Sequence, residues 1–348
     1  MTIFGESHGR GIGLVLDGLT PGTRIDEGFI KEEMARRAPG QNLMSTQRQE
    51  KDAFVIESGV FEGKAAGTPL CVLIPNSDQH SKDYSILKNR MRPGHADYAG
   101  KVKYQGFNDY RGGGHFSGRL TAPLVFTGAL AKTVLAEKGI VVGAHISRIG
   151  QVTDRLFNPL GEPEELLKSL RNHTLPVLDT DKAALMEAEV MAAREQQDSV
   201  GGVVEVMATG MPPGIGDPFF DSLESRLSHA LFSVPAVKGI EFGTGFGIAS
   251  LKGSEANDPM TFAGGAVKTT RNHNGGITGG ITNGMPVLLR VAIKPTPSIG
   301  LPQQTVDLSA ETDTVLEIKG RHDPCIVPRA VPVIEAVTAW ALLDMLMG

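Results

Sequence analysis

The order of apolar and polar positions predicts a chain that alternates short strands with helices. Continuous apolar runs predict strands over 11–18, 53–60, 70–74, 140–147, 203–208 and 286–293. Apolar residues at helical spacing predict one helix that Asp26 caps and that ends at Arg37, and another that the capping-box pattern at 221–224 opens. The stretches 123–138 and 333–347 are apolar almost all round, which is typical of buried helices.

Other segments lack this periodicity. We expect loops over 75–84 and over most of the glycine-rich segment 93–121, and exposed helices in the polar segment 151–197. A strand, a Gly-Leu-Thr-Pro-Gly turn and an Asp-capped helix recur later as a strand, Gly-Met-Pro-Pro-Gly and a second Asp-capped helix that Asp221 begins. This repetition indicates either two similar halves or the chance recurrence of a common pattern. Because no long Pro/Ser linker divides the chain, we expect a single compact domain over 1–348.

Composition narrows the class of protein. The 348 residues are 41% hydrophobic, and the net charge is −5, which argues against a nucleic-acid partner or an anionic membrane surface. No transmembrane helix and no signal peptide are expected, so cytoplasm is the predicted location. Cys71 and Cys325 lie far apart and form no CxxC pair, so neither a disulfide framework nor a metal site is expected. Glycine is abundant, with 43 residues, which indicates tight turns and close backbone approach to a ligand.

Candidate chemistry is concentrated in glycine-rich loops that carry His, Arg, Lys or Asp. They lie at 5–9, 92–97, 109–119, 272–280, 294–298 and 320–324. Arginine binds phosphate and carboxylate with paired hydrogen bonds, consecutive glycines can expose backbone N–H groups to an anion, and histidine exchanges protons near neutral pH. A single histidine beside glycine is more often structural. The residues alone therefore indicate an enzyme with an anionic ligand and leave its class open.

Seven motifs, six of them from these loops and one at 236–241, stand in the order and at the spacing of the chorismate synthase family, which the chain resembles over nearly its whole length. They are Gly-Glu-Ser-His-Gly at 5–9, Arg-Pro-Gly-His-Ala-Asp at 92–97, Asp-Tyr-Arg-Gly-Gly-Gly at 109–114, Ala-Val-Lys-Gly-Ile-Glu at 236–241, Gly-Gly-Ile-Thr-Gly-Gly-Ile at 275–281, Lys-Pro-Thr-Pro-Ser at 294–298 and Gly-Arg-His-Asp-Pro-Cys at 320–325. The resemblance implies an α+β fold, a layered β-α-β sandwich with two similar halves, assembled as a homotetramer. It also implies a lyase of the shikimate pathway that converts 5-enolpyruvylshikimate 3-phosphate to chorismate by anti 1,4-elimination of phosphate, with reduced FMN and no net redox change.

The same resemblance assigns residues to roles. His8 would protonate the departing phosphate, His95 would protonate the reduced flavin, and Asp323 would be the base that receives a proton through the flavin. Flavin contacts would come from His115, Phe116, Ser117, Ala236, Gly279, Lys294, Pro295, Thr296, Pro297, Ser298 and Arg321. The substrate's phosphate and carboxylates, or NADPH in members that reduce their own flavin, would be bound by Arg37, Arg48 and Arg119.

Three departures from the family pattern affect these expectations. Many members have Arg-Ser-Ser-Ala-Arg where this chain has His-Phe-Ser-Gly-Arg at 115–119, an Arg of some members falls near Leu43, and the segment before Gly5 is short. Two other functions stay open at this point: an FMN-dependent oxidoreductase or flavin reductase without elimination activity, and a catalytically silent FMN- or anion-binding protein. Release of phosphate distinguishes them from the lyase.

Overall fold

The computed structural model describes residues 1–40, 52–77, 86–318 and 323–348. Its helices and strands are, in chain order, β1 Thr2–Gly5, β2 Gly11–Leu16, α1 Glu27–Arg37, β3 Val55–Ser58, β4 Val60–Phe61, β5 Lys64–Ala65, β6 Leu70–Pro75, α2 Asp97–Lys103, α3 Thr121–Glu137, β7 Val141–Ile149, β8 Val152–Thr153, α4 Glu164–Ser169, α5 Thr180–Glu195, β9 Gly202–Thr209, α6 Leu223–Leu231, β10 Val237–Phe242, α7 Gly253–Ala256, β11 Met260–Ala263, β12 Ala266–Thr269, β13 Ile277–Thr278, β14 Ile281–Thr282, β15 Val287–Ile293, β16 Gln303–Asp307, β17 Thr312–Leu316 and α8 Val327–Met347. This mixture of helices and strands confirms the α+β class.

The chain divides into two compact units. The first comprises 1–126, 187–200 and 295–326, and the second comprises 127–186, 201–294 and 327–348. Helices α3 and α5 each continue across the boundary between them. The layered sandwich, the two similar halves and the single domain over 1–348 stay predictions.

The first unit contains a four-stranded antiparallel sheet in the order β1-β2-β6-β3. Alternate residues of β6 are buried, as expected for a sheet with one face on the core. Helix α1 begins where predicted, because the Asp26 carboxylate accepts a hydrogen bond from the Phe29 N–H at 3.0 Å. The hairpin between β1 and β2 carries the loop that contains His8.

The second unit contains a five-stranded antiparallel sheet in the order β10-β15-β9-β7-β8. Helix α8 packs against β7, β9 and β15, and α6 packs against α8. Within this unit α3 approaches α8 closely, since a Cβ on Gly128 would lie 2.2 Å from the Ala336 Cβ. Strands β7, β9 and β15 are mostly buried, which explains their continuous apolar sequences.

Three local predictions need correction. The segment 93–121 is not only loop, since it contains α2 and the short 3-10 stretches Arg111–Phe116 and Gly118–Leu120. Helix α6 is capped by Ser222, whose hydroxyl accepts from the Ser225 N–H at 3.1 Å, rather than by Asp221. Helix α8 begins at Val327, six residues before the predicted start at 333. Pro328 and Pro332 are the reason that the sequence predicts a later start. Proline is tolerated in the first turn of a helix but usually ends a helix elsewhere.

Two stretches, 111–137 and 327–347, are long and apolar enough to span a membrane by length and composition alone. In the most apolar windows of these stretches 72% and 67% of the window is buried within the fold, which is typical of core helices. The absence of a transmembrane helix stays a prediction.

Candidate active site

The histidine-bearing loop after β1 rests on the glycine-rich segment 112–115 of the first unit. The Ser7 N–H donates to the Gly114 carbonyl at 3.1 Å, and the His115 Nδ1 donates to the Gly5 carbonyl at 2.9 Å. The Asn76 side chain secures the other side by donating to two carbonyls of the 6–9 segment, each at 3.0 Å. These hydrogen bonds fix the relative position of two loops that are more than a hundred residues apart in sequence.

Three consecutive glycines in this segment have left-handed backbone angles, with φ of 57°, 84° and 55° at 112, 113 and 114. A Cβ on Gly112 would lie 2.2 Å from the His8 ring, and one on Gly113 would lie 3.2 Å from His95 Nε2. Both candidate catalytic imidazoles therefore pack against successive residues of one loop. Only glycine combines these angles with such close approach of backbone and ring.

His95 belongs to a second polar group, formed with Arg92 and Asp97. Its Nδ1 lies 2.6 Å from Asp97 Oδ1, while Arg92 contacts both oxygens of the same carboxylate, from Nε at 2.7 Å and from Nη2 at 2.8 Å. Burial favours a higher pKa for Asp97, but hydrogen bonds from Arg92 and His95 outweigh it and hold the pKa of this carboxyl well below its usual range. Arg92 also donates to the Ser298 hydroxyl at 3.2 Å, which joins this group to the 294–298 motif.

A further ion pair stabilises the approach to the glycine loop. The Asp109 carboxylate accepts from the Arg111 N–H at 3.0 Å and from its guanidinium at 2.9 and 2.8 Å. The hydrogen bond from the Arg111 side chain is the main reason that the pKa of Asp109 is lowered, and the charge of His8 adds to this effect. The Asp109 carbonyl lies 1.9 Å from where a Cβ on Gly114 would stand, so this turn also requires glycine.

Two of the predicted substrate arginines share one carboxylate that sequence reasoning did not single out. Arg37 and Arg119 both donate to Asp52, Arg37 from Nε at 2.9 Å and from Nη2, and Arg119 from Nη1. All three side chains are almost completely buried. Asp52 has a left-handed φ of 47°, and no local pattern marks it in the sequence.

Of the predicted flavin contacts at 115–117, which continue the same loop, Phe116 and Ser117 are half-buried. The Phe116 ring packs on α2, where a Cβ on Gly100 would stand 2.6 Å from it. The Ser117 hydroxyl caps the short helix that carries Arg119, accepting from the Arg119 N–H at 3.3 Å. His115, which replaces the more usual arginine, is exposed and hydrogen-bonds to Gly5 as described above.

In the second unit, the predicted contacts Ala236 and Lys294 are neighbours where β10 and β15 pair. The Lys294 N–H donates to the Ala236 carbonyl at 2.9 Å, and Ala236 has a left-handed φ of 75°. The pKa of Lys294 is lowered by burial and by the charge of Lys238. Two cations repel each other here, so an anion would stabilise both. Gly279 is open, since a Cβ there would meet nothing within 4 Å.

The 295–298 part of the Lys-Pro-Thr-Pro-Ser motif belongs to the first unit. The Thr296 hydroxyl is buried and has no hydrogen-bond partner among the described residues, and its carbonyl accepts from the Ser199 hydroxyl at 2.7 Å. Pro295 is exposed and Pro297 is half-buried, and Ser298 is the residue that contacts Arg92.

Asp323, the predicted base, is half-buried and precedes α8. The carbonyl of its neighbour Pro324 accepts from the Val200 N–H at 2.8 Å. Arg48 and Arg321, and also Leu43, lie outside the described residues. Among the described predicted residues, the structure thus brings His8, His95, His115 and Ser298 into one network with the glycine loop and Arg92.

A loop that packs two imidazoles against its backbone, with the buried guanidinium of Arg119 a few residues further on, is typical of enzymes that act on anionic ligands.

Comparison with known proteins shows which enzyme family the chain belongs to. The family model described as chorismate synthase matches residues 1–347. Chorismate synthases of Thermococcus gammatolerans and Pyrococcus abyssi are 51% and 48% identical to this chain, each over 99% of it and 95% of the relative. A crystal structure of chorismate synthase superposes with a TM-score of 0.78 at 31% identity, covering 99% of this chain and 90% of that one. The chain belongs to the chorismate synthase family, and it is a carbon–oxygen lyase of the shikimate pathway.

Proposed function

We propose that this enzyme eliminates phosphate from 5-enolpyruvylshikimate 3-phosphate in the anti 1,4 sense, with reduced FMN as its cofactor, to give chorismate. The observation that carries the proposal is the placement of His8 and His95 against consecutive glycines of one loop. An elimination needs one group that protonates the leaving phosphate and others that move the ring proton away. Two imidazoles held on one rigid loop meet part of that requirement.

The described residues fit a flavin phosphate and its polar ring. Burial and the charge of Lys238 lower the pKa of Lys294, and a bound phosphate would favour the charged form of this lysine. The buried Thr296 hydroxyl, without a hydrogen-bond partner among the described residues, would gain one from the flavin. When bound, reduced FMN supplies electron density to the substrate ring as phosphate leaves. The proposed flavin contacts are His115, Phe116, Ser117, Ala236, Gly279, Lys294, Pro295, Thr296, Pro297, Ser298 and Arg321.

The proton-handling roles follow from the surroundings of each group. His8 is 4% exposed, so water has little access to it, and we assign it the proton that goes to the leaving phosphate. His95, held by Asp97, is assigned the proton that the reduced flavin requires. Asp323 is assigned as the final acceptor of the ring proton, because it is a half-buried carboxylate in a family motif.

Anion recognition is assigned to Arg37, Arg48 and Arg119. The substrate carries three acidic groups, so several cations are needed even in a chain of net charge −5. Arg37 and Arg119 hold two guanidinium groups side by side on Asp52, and guanidinium groups are the side chains best suited to bind phosphate and carboxylate.

An anaerobic assay tests the proposal. The protein is mixed with dithionite-reduced FMN and 5-enolpyruvylshikimate 3-phosphate, and phosphate and chorismate are followed together. We expect both in equal amounts over many turnovers per flavin. If NADPH is consumed without release of phosphate, the chain is an FMN-dependent oxidoreductase instead. Replacing dithionite by NADPH then shows whether the protein reduces its own flavin or needs a separate reductase.

We also propose a cytoplasmic homotetramer. Large aromatic side chains of the second unit are exposed in the single chain, and burial between copies would remove them from water. They are Phe219, Phe220, Phe246 and Phe262. Light scattering coupled to gel filtration should give four times the mass of one chain, and a monomer would contradict the proposal.

A further inference from the structure

The hydrogen bond between His95 and Asp97 has a role that the family motif alone does not assign. We propose that Asp97 is a positioning residue that fixes the tautomer of His95, so that Nε2 is the ring nitrogen that exchanges protons with the ligand. This inference rests on the proposed function, in which His95 supplies a proton. It adds Asp97 as the group through which that role is controlled.

The geometry around Nδ1 decides where its proton goes. Nδ1 of His95 lies 2.6 Å from Asp97 Oδ1 and 3.1 Å from Arg92 Nη2. A guanidinium can only donate, whereas an ionised carboxylate can only accept. The shorter contact is the one to the carboxylate, so Nδ1 carries the proton and donates it to Asp97. In the neutral ring the other nitrogen, Nε2, is then unprotonated, and in the charged ring Nε2 holds the exchangeable proton.

The surroundings of Asp97 keep its carboxylate ionised, so that it can only accept hydrogen bonds. Its side chain is 6% exposed, and Arg92 supplies three donors to it, the backbone N–H at 3.0 Å and two guanidinium nitrogens. Because these bonds hold the pKa of Asp97 well below its usual range, it carries no proton that it could donate to Nδ1. The role of Arg92 is thus to keep the carboxylate ionised and oriented.

The opposite side of the ring faces the glycine loop. His95 Nε2 lies 3.2 Å from where a Cβ on Gly113 would stand, and the His95 side chain keeps 16% of its exposure while Asp97 is almost fully buried. Nδ1 is therefore the nitrogen bonded to Asp97, and Nε2 is the one beside the segment that also contacts His8. A carboxylate that orients an imidazole in this way sets which nitrogen does the chemistry.

The competing explanation is that Asp97 only stabilises the start of α2. It is the first residue of that helix, where a negative charge is favourable. A purely structural Asp97 would affect activity independently of His95. If Asp97 acts by positioning His95, substituting Asp97 in a variant that already lacks the His95 imidazole would not lower activity further.

A double-mutant cycle separates the two. Phosphate release is measured anaerobically for the wild type, Asp97→Asn, His95→Ala and the double variant, with reduced FMN and saturating substrate. Asparagine can keep its oxygen toward Arg92 and turn its amide toward Nδ1, which favours the wrong tautomer. We expect Asp97→Asn to lower kcat at least about tenfold, and the double variant to match His95→Ala within about twofold. Full additivity, or unchanged kcat in Asp97→Asn, would overturn the inference.

A second measurement covers the case in which Asp97→Asn does not fold. The ¹⁵N shifts of the wild-type histidines, with His95 assigned by the signal missing from His95→Gln, report the tautomer directly. We expect His95 in its neutral form to carry the proton on Nδ1, and a proton on Nε2 would overturn the inference. An absence of phosphate release from the wild type would instead contradict the proposed function and leave this spectroscopic result standing on its own.

Discussion

Gly112 and the His8 imidazole are so close that a methyl group on the glycine would lie 2.2 Å from the ring. Gly112→Ala must therefore displace His8 or the loop, and the left-handed backbone at 112 adds strain of about 1 kcal/mol. We expect turnover to fall at least about tenfold, because displacements of about 1 Å in an active site cost up to a hundredfold. Phosphate release under anaerobic conditions measures this loss.

Two neighbouring glycines provide matched controls. Gly106→Ala introduces the same left-handed strain at a position where the new methyl meets nothing within 4 Å, and Gly118→Ala introduces a methyl into open space without that strain. Both should retain turnover within about twofold, since surface substitutions away from special features change little. If Gly106→Ala loses as much activity as Gly112→Ala, backbone strain rather than contact with His8 is responsible.

His8 is the residue that we expect to limit departure of the phosphate. His8→Asn should lower kcat by about 10²–10⁴, the usual contribution of a general acid. The melting temperature, measured beside it, should change little because asparagine is smaller and polar. A variant that folds and turns over normally would remove His8 from the mechanism.

The buried carboxylate of Asp52 should matter for stability, since it is the shared partner of Arg37 and Arg119. Asp52→Ala leaves two buried guanidinium groups without this counter-ion, so we expect the free energy of unfolding to fall by about 3–5 kcal/mol. Urea unfolding measures the change. Glu27→Gln is the control, because its ion pair with Lys31 is exposed and should contribute nothing measurable. Equal effects of the two substitutions would contradict the assignment.

His145 should make the stability of the protein depend on pH. It is fully buried in the second unit, with Nε2 2.9 Å from Glu205 and Nδ1 3.3 Å from Asp154. Burial alone would lower its pKa, but the two carboxylates outweigh burial and raise the pKa above its usual value. The folded state thus binds this proton more tightly than the unfolded state does.

The sign of the effect follows directly. The stabilisation by the His145 proton is complete below the unfolded pKa of about 6.5 and is lost as pH rises through the higher folded value. The difference in unfolding free energy between the wild type and His145→Gln should therefore shrink from pH 6 toward alkaline pH. The exposed His173 is the control, and His173→Gln should show no such trend. A difference for His145→Gln that is constant across this range would contradict the prediction.

The cap of α6 gives a test that compares two adjacent residues. Ser222→Ala removes the hydroxyl that accepts from Ser225 and should cost about 1 kcal/mol of stability. Asp221→Ala should cost less, because its ion pair with Arg226 is a long, exposed contact of 3.6 Å. Chemical unfolding measures the loss of stability in both variants. A larger loss for Asp221→Ala than for Ser222→Ala would show that Asp221 is the cap instead.

Local patterns predicted most elements of this fold because their signals are local. Asp26 and the apolar runs of β2, β6 and β15 each act within a few residues. The missed elements are those in which a local signal conflicts with tertiary packing. Prolines 328 and 332 argue for a later start of α8, yet burial of the helix in the second unit outweighs the lost hydrogen bond.

The site was predictable in its motifs and unpredictable in its partners. His8 and His95 stand in recognisable loops, and glycines at 112–114 indicated close approach. Nothing in the sequence joins Asp52 to Arg119, which is 67 residues away, because long-range pairing depends on the folded path of the chain. Asp97 could have been found, since it lies two residues after His95 at the start of a short helix.

Helix α8 leaves the ribosome after strands β7, β9 and β15 of the second unit, which it covers. During synthesis, the apolar face of that sheet therefore lacks this cover until residues 327–347 have been translated. A nascent chain paused before 327 would expose it to other chains or to chaperones. Premature stop codons within α8 should consequently yield aggregated protein rather than a shortened, partly active enzyme.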